Sequence, residues 1–335
     1  MLGIAISVIA VAVLLQTVDV GRTLAVLGRT SPLVVLAMIA SCLVDVGARG
    51  ARWRALLAPI RPIPYGRVLG YTYIGYLANN VLPARLGELV RSHAVGEREG
   101  VSRTTVLGTV VVERIVDTVI VVALAAVAVV ALGVGGVIST SVVLGAAFVA
   151  VLVVGLAVAM MSHRLPAVDR LTARAERFPL ALELGRRLRD GLRVAGRPRT
   201  LAAALLLSAV AWAASITTFI LGGRALGVEL SPMQGALLSS GVALVTIVPA
   251  APGYLGTFEL TAVSIAGQFG IDAETGFAMA LLVHALILAV TSVGGAIAAL
   301  RLGVGLGTAE VTTDAADAAD DVDPAGDAGP GRVSS

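Results

Sequence analysis

Lysine is absent from this chain: all 25 basic residues among its 335 positions are arginine. Heavy use of Ala, Val and Gly accompanies that absence and points to compositional bias, so no function is drawn from it. Cysteine is nearly absent too. The single Cys42 lies in an apolar run, which excludes a disulfide framework and a thiol metal cluster. The three histidines, His93, His163 and His284, are not spaced as a metal pair, and neither a metal nor a cofactor is expected. Only 14% of residues are charged while 57% are hydrophobic, and the mean hydropathy is +0.92. Too little polar surface is available to cover an ordinary soluble domain, so the chain reads as an all-α polytopic membrane protein.

Catalytic signatures are missing as well. The sequence contains no nucleotide-binding loop, no Gly-x-Ser-x-Gly elbow and no metal-ligand cluster, so an enzyme lacks positive support. Nucleic-acid binding is a poor reading of the basic block at 163 to 199, because it contains one aromatic, Phe178, and sits between membrane spans. Attraction to anionic lipid heads accounts for it more simply.

Apolar runs near the roughly 20 residues that cross a bilayer predict six full spans, at about 2 to 18, 32 to 48, 104 to 132, 137 to 161, 200 to 222 and 276 to 300. The first has no preceding basic residue and no Ala-x-Ala pattern, so it is expected to stay as a helix. Arg49, Arg52, Arg54, Arg61 and Arg67 read as a loop without acids, and 163 to 199 holds ten Arg against four acids. Both are expected in the cytoplasm, which also puts both termini inside. Leu165, Val168, Leu171, Ala175, Phe178 and Leu182 recur at helical spacing, as in an amphipathic helix lying at the inner headgroups. The transmembrane unit is expected over 1–304, with halves of about 1–132 and 137–304. An acidic tail over 305–335 is expected to be disordered.

Two hydrophobic segments, about 66 to 100 and 233 to 271, are interrupted by similar sequence. Val81-Leu82-Pro83-Ala84-Arg85-Leu86-Gly87-Glu88-Leu89 and the run from Val248 through Pro249, Pro252, Gly253 and Gly256 to Glu259-Leu260 both pass from Pro-Ala to Leu-Gly and then Glu-Leu. Proline removes a donor and glycine loosens the chain, so Pro83, Gly87, Pro249, Pro252, Gly253 and Gly256 are expected to break helices. Unpaired backbone is tolerated in lipid only where protein or a watered cavity covers it. Charge-based threading makes each segment a re-entrant hairpin, one from each face, as in an inverted repeat whose breaks mark a substrate site. The second also fits two short tilted spans.

Candidate binding residues cluster at these breaks. Asn79, Asn80, Arg85, Glu88 and Arg91 surround the first, and Thr246 and Glu259 hold the corresponding places at the second. Arginine and a half-helix start both suit a phosphate. Arg91, with His93 and Arg98, also suits the inner headgroups. Glu113, Arg114 and Asp117 fall about 14 Å into the third full span, where charges must face a partner or a wet cavity. Pairing Arg114 with Asp117 at i, i+3 would leave Glu113 over. Glu259 has no arginine beside it and reads as a lone buried acid able to carry a proton. Asp45 with Arg49 reads as an interfacial pair, and His284 as a packing residue.

The runs Arg52-Trp53-Arg54-Ala55-Leu56-Leu57, Asn79 to Arg91, Glu113-Arg114-Ile115-Val116-Asp117 and Pro249 to Glu259 together resemble the lysylphosphatidylglycerol synthase transmembrane region, a flippase-like family, over about residues 5 to 302. The resemblance implies an integral membrane domain that binds or translocates lipid. In bifunctional members that domain flips aminoacylated phosphatidylglycerol made by a following soluble domain. No such domain follows in this sequence, so aminoacyl transfer by this chain is not expected. Relatives also carry a dolichol-phosphate-glucose synthetase-like label, which the missing catalytic motifs do not support. The expected cargo is a phospholipid or polyprenyl-phosphate lipid in the cell membrane, with homo-oligomerisation left open. A membrane glycosyl- or aminoacyl-transferase is the alternative, and a non-transporting membrane scaffold is the third reading.

Overall fold

The computed structural model describes residues 2–17, 19–28, 30–82, 86–136, 139–140, 143–145, 147, 198–246 and 251–305. Among these every regular element is helical. Ten α-helices are named here in chain order: α1 (Leu2–Thr17), α2 (Val20–Leu27), α3 (Pro32–Leu57), α4 (Tyr65–Val81), α5 (Gly87–Glu99), α6 (Arg103–Leu132), α7 (Pro198–Ala225), α8 (Pro232–Val245), α9 (Thr257–Gly267) and α10 (Ala273–Leu302). Four of them, α3, α6, α7 and α10, are long and apolar enough to cross a bilayer. The expected span at 137 to 161 lies mostly outside the described residues, as do the amphipathic segment at 163 to 199, except its last residues, and the acidic tail.

Helix boundaries follow local chemistry. Ser31 with Pro32 opens α3 and Ser231 with Pro232 opens α8, proline at the first turn costing no hydrogen bond. At α8 the Ser231 hydroxyl accepts from Gln234 N while the Gln234 side chain accepts from Ser231 N, a reciprocal cap. Asp272 caps α10 by accepting from Thr275 N at 2.9 Å.

One expectation is overturned. Arg49, Arg52 and Arg54 are not in a loop; α3 continues through them to Leu57. Alanine and arginine are good helix formers, and these charges find partners inside the protein, so the helix outlasts its apolar run.

The helix contacts repeat. α3 lies along α7, α4 packs on α10, and α8 packs on α6. If α3–α6 are matched in order to α7–α10, the second and third of these contacts are counterparts and the first pairs with itself. The neighbour contacts α3–α4, α4–α5 and α5–α6 have counterparts in α7–α8, α8–α9 and α9–α10.

Two apolar clusters occupy opposite ends of this arrangement. One gathers Met38, Phe219, Leu237, Phe258, Ile265 and Val283, and the other Trp53, Leu56, Tyr71, Ile74, Val95 and Val106. Polar side chains of the long helices lie between the clusters in chain order: Asp45, Arg49 and Arg52 on α3, Glu113 to Asp117 on α6, and Ser208 and Trp212 on α7. The fold therefore holds a charged layer between two apolar ones.

Candidate functional site

The first broken hairpin is closed by backbone approach. A Cβ on Gly87 would lie 2.0 Å from the Gly75 carbonyl oxygen, so only glycine lets α5 fold so tightly against α4. The Asn79 Oδ1 accepts from Gly87 N at 2.8 Å, satisfying a donor at the start of α5. Asn80 Nδ2 donates to Thr291 Oγ1 at 2.9 Å and Ser292 Oγ at 3.0 Å, fixing the end of α4 to α10. Pro83 and Arg85 lie outside the described residues.

At the second break Pro252–Tyr254 form a 3₁₀ turn that packs on α4. Gly253 and Gly256 have φ of 68° and 85°, and Tyr254, a non-glycine, has φ 59°. Such a bulky residue in the left-handed region is strained and needs its surroundings to hold it. Ala251 N donates to Ser7 Oγ at 2.9 Å, tying the turn to α1. Glu259 Oε2 accepts from Gly256 N at 2.7 Å and so closes the first turn of α9. Pro249 lies outside the described residues.

Four arginines and three carboxylates interlock beside the first hairpin. Arg52, wholly buried, holds Asp117 with both prongs, Nη1 to Oδ1 at 2.5 Å and Nη2 to Oδ2 at 2.8 Å, and donates to Ser208 Oγ at 2.8 Å. Glu113 Oε1 meets Arg114 Nη2 at 2.5 Å, Arg91 Nη2 at 3.0 Å and Arg52 Nη2 at 3.4 Å. Arg49 Nε donates to Asp45 Oδ1 at 2.6 Å, and its Nη1 is 3.5 Å from Asp117 Oδ2. Indole rings complete the layer: Arg49 lies over Trp212 at 5.0 Å and Arg91 over Trp53 at 4.4 Å. Desolvating charges is costly, and the layer offsets it by giving Glu113 and Asp117 three arginines each.

These facts correct four expectations. Glu113 is not left over; like Asp117 it meets three arginines, and Asp117 pairs with Arg52 more closely than with Arg114, which is 3.5 Å away. Arg91 is buried among these charges and is no headgroup residue. Glu259 is not alone, because His284 Nδ1 lies 2.6 Å from its Oε1. Asp45 with Arg49 is an ion pair as expected, but it joins the buried layer.

Between the two hairpins lies a cavity of about 620 Å³. Asn79, Asn80, Glu88, Arg114, Asp117 and Thr246 line it, and so do Asp45, Arg49, Trp212, Tyr254 and His284, which spacing alone did not select. Arg91, Glu113 and Glu259 stand behind its wall. Apolar side chains share the lining, among them Val121, Phe219, Val242 and Leu288. Arg114 differs from the other arginines of the layer. Its side chain is 36% exposed against 13% for Arg49, 6% for Arg91 and none for Arg52. In one respect it is like Arg52 and Arg91: the Nε of each is buried without a hydrogen-bond partner among the described residues. A signal for Arg49 and Arg52 was present: with Asp45 they fall at i, i+4 and i+7, one helical face, which a charge count of a supposed loop hides.

The family model described as "Lysylphosphatidylglycerol synthase TM region" matches residues 1–295. A protein named Glycosyltransferase AglD, from Haloferax volcanii, is 28% identical over 347 aligned positions, which take in 92% of this chain and 55% of that protein. The chain thus spans about half the length of this curated relative.

Proposed function

From the lysylphosphatidylglycerol synthase transmembrane-region family, to which this chain belongs, we propose that the protein is a lipid flippase or lipid transporter of the cytoplasmic membrane. The cavity between the hairpins would take an anionic, phosphate-bearing head, with the lipid chains toward the apolar side chains. The observation that carries this reading is Arg114, its side chain 36% exposed, in a cavity lined by both charged and apolar side chains. A partly exposed guanidinium suits a phosphate oxygen, while Arg52 and Arg91, almost wholly shielded from solvent and held by Glu113 and Asp117, serve as scaffold. In this reading Arg54, Arg61 and Arg67 keep the end of α3 and the start of α4 on the cytoplasmic side, because they remain outside the buried layer. Both termini are then cytoplasmic.

Reconstitution in liposomes with a fluorescent phospholipid and an external quencher tests the proposal. Wild type should move lipid between leaflets faster than protein-free liposomes, and Arg114→Gln should slow it. Equal rates for wild type and Arg114→Gln would remove the cavity from the mechanism.

The name of the relative favours a second reading, glycosyl transfer to a lipid-phosphate acceptor. That protein extends well beyond the aligned part. Its named activity therefore does not attach to the shared helices by similarity alone. Incorporation of label from a nucleotide sugar by the purified chain would support this alternative.

A further inference from the structure

Each hairpin is fastened to the long helix that follows it, and on that long helix the two fastening residues, Glu113 and His284, hold corresponding places. Glu259 follows Glu88 by the same number of positions as His284 follows Glu113. In the first half the fastening is Arg91 Nη2 to Glu113 Oε1 at 3.0 Å, from α5 to α6. In the second it is Glu259 Oε1 to His284 Nδ1 at 2.6 Å, from α9 to α10. Arginine keeps its proton at any working pH, so the first fastening is permanent. Only the second contains a histidine, the side-chain type suited to exchanging a proton near neutrality.

We propose that Glu259 and His284 form a proton-binding latch that holds the second broken hairpin to α10 beside the cavity. Both residues are buried, at 4% and 3% exposure, while His284 lines the cavity and so has a route for a proton. The imidazole stacks on Phe258, ring centroids 4.0 Å apart and 9° from parallel. With a neutral imidazole, Nδ1–H donates to the carboxylate and the pair carries one negative charge. A proton taken up at Nε2 makes the pair an imidazolium and a carboxylate of zero net charge. Losing that proton leaves an uncompensated charge against Phe258, and the latch loosens as water reaches it.

The neighbouring elements leave this exchange to the pair. α1 and α8 carry no titratable side chain. Those of α2 and α7 are Arg22, beside Glu274, and Arg199 and Arg224 at the helix ends. From α3 and α4 come Cys42, Asp45, Arg49, Tyr73 and Tyr76. The charges across the cavity are Glu88, Arg114 and Asp117, and Asp45, Arg49, Arg114 and Asp117 belong to the arginine–carboxylate layer. The bearing of the latch on transport rests on the lipid reading of the cavity, whereas proton binding does not.

Cys42, the single cysteine, is buried and lines the same cavity, so its alkylation by N-ethylmaleimide reads cavity access without any transport assay. The rate is measured for the full chain in detergent, for wild type, His284→Gln and Glu259→Gln at each pH. The ratio of wild type to variant cancels the ionisation of the thiol itself. We expect that ratio to rise about threefold or more between about pH 6 and 8, within the tenfold per unit that one linked proton allows. A flat ratio against both variants overturns the latch. Should either variant lose a monodisperse gel-filtration profile, His93→Gln, His163→Gln chains retain only His284, whose imidazole is followed by NMR. Its titration midpoint should coincide with the change in Cys42 labelling; an imidazole that titrates with no change in labelling overturns the proposal. A pH-dependent ratio in a protein that moves no lipid would sink the transport reading and leave the latch standing.

Discussion

Arg52 on α3 and Asp117 on α6, 65 residues apart in the chain, meet as a two-pronged ion pair from which solvent is excluded on the arginine side. Asp117 also receives the indole of Trp212 at 3.4 Å and lies 3.5 Å from both Arg49 and Arg114. This single carboxylate therefore joins α3, α6 and α7, and it lines the cavity as well.

Removing one member of that pair should strand buried charge. Arg52→Met is expected to destabilise the protein by about 3–5 kcal/mol, because Asp117 and Glu113 lose a shared cation in a dry layer. The paired replacement Arg52→Met, Asp117→Leu should cost less than the sum of the single changes, since both desolvation penalties go together. Unfolding in detergent, followed by far-UV circular dichroism, measures both. A single-variant cost below about 1 kcal/mol would mean that water reaches the pair as it does at a surface bridge.

The close hairpin can be tested at one atom. Gly87→Ala would place a methyl 2.0 Å from the Gly75 carbonyl and 2.6 Å from Asn79 Oδ1, and backbone cannot move aside as a side chain can. A cost of about 1–3 kcal/mol or more is expected. Gly66→Ala, in the first turn of α4 with nothing within 4 Å, should instead be neutral or stabilise by about 0.5–1 kcal/mol. The thermal midpoint should fall for Gly87→Ala and stay level or rise for Gly66→Ala.

For the lipid site, Arg114→Gln should weaken binding of a phosphate-bearing lipid by about tenfold or more, the loss of a charge-assisted hydrogen bond of about 1.5–3 kcal/mol. Arg22→Gln serves as the comparison, because Arg22 is 76% exposed and only 4.0 Å from Glu274. Native mass spectrometry of the purified protein with a phospholipid series reads both. Equal losses in the two variants would point to general charge attraction in place of a site.

Outside the spans, Asp272 gives a pH-dependent check on the start of α10. The Thr275 backbone N–H, donating to its carboxylate, holds the group below the usual carboxylate range. A lowered folded pKa means that the cap contributes fully above the unfolded value of about 3.9 and is lost as pH falls through the folded one. Asp272→Ala should therefore cost about 0.5–2 kcal/mol near neutrality, and the gap from wild type should shrink in acid. Denaturant midpoints at several pH values follow it.

Much of this architecture is local and therefore legible in the chain. Hydropathy marks α6, α7 and α10 to within a few residues, and the Pro-Ala and Leu-Gly words mark where α4 and α8 stop and where α5 and α9 begin. Backbone preference and apolar length act over one or two turns, so they are written in neighbouring residues. Partner choice is not local. Spacing along one helix pairs Arg114 with Asp117, but packing brings Arg52 from another helix, and its planar fork matches the carboxylate better than a neighbour at i, i+3 can. The same holds for Asn80 with Thr291, 211 residues apart, and for Glu259 with His284. The sequence by itself determined an all-helical membrane protein with two broken segments. The tertiary structure alone decided which charges face one another, because burial makes an ion's partners a matter of distance in space.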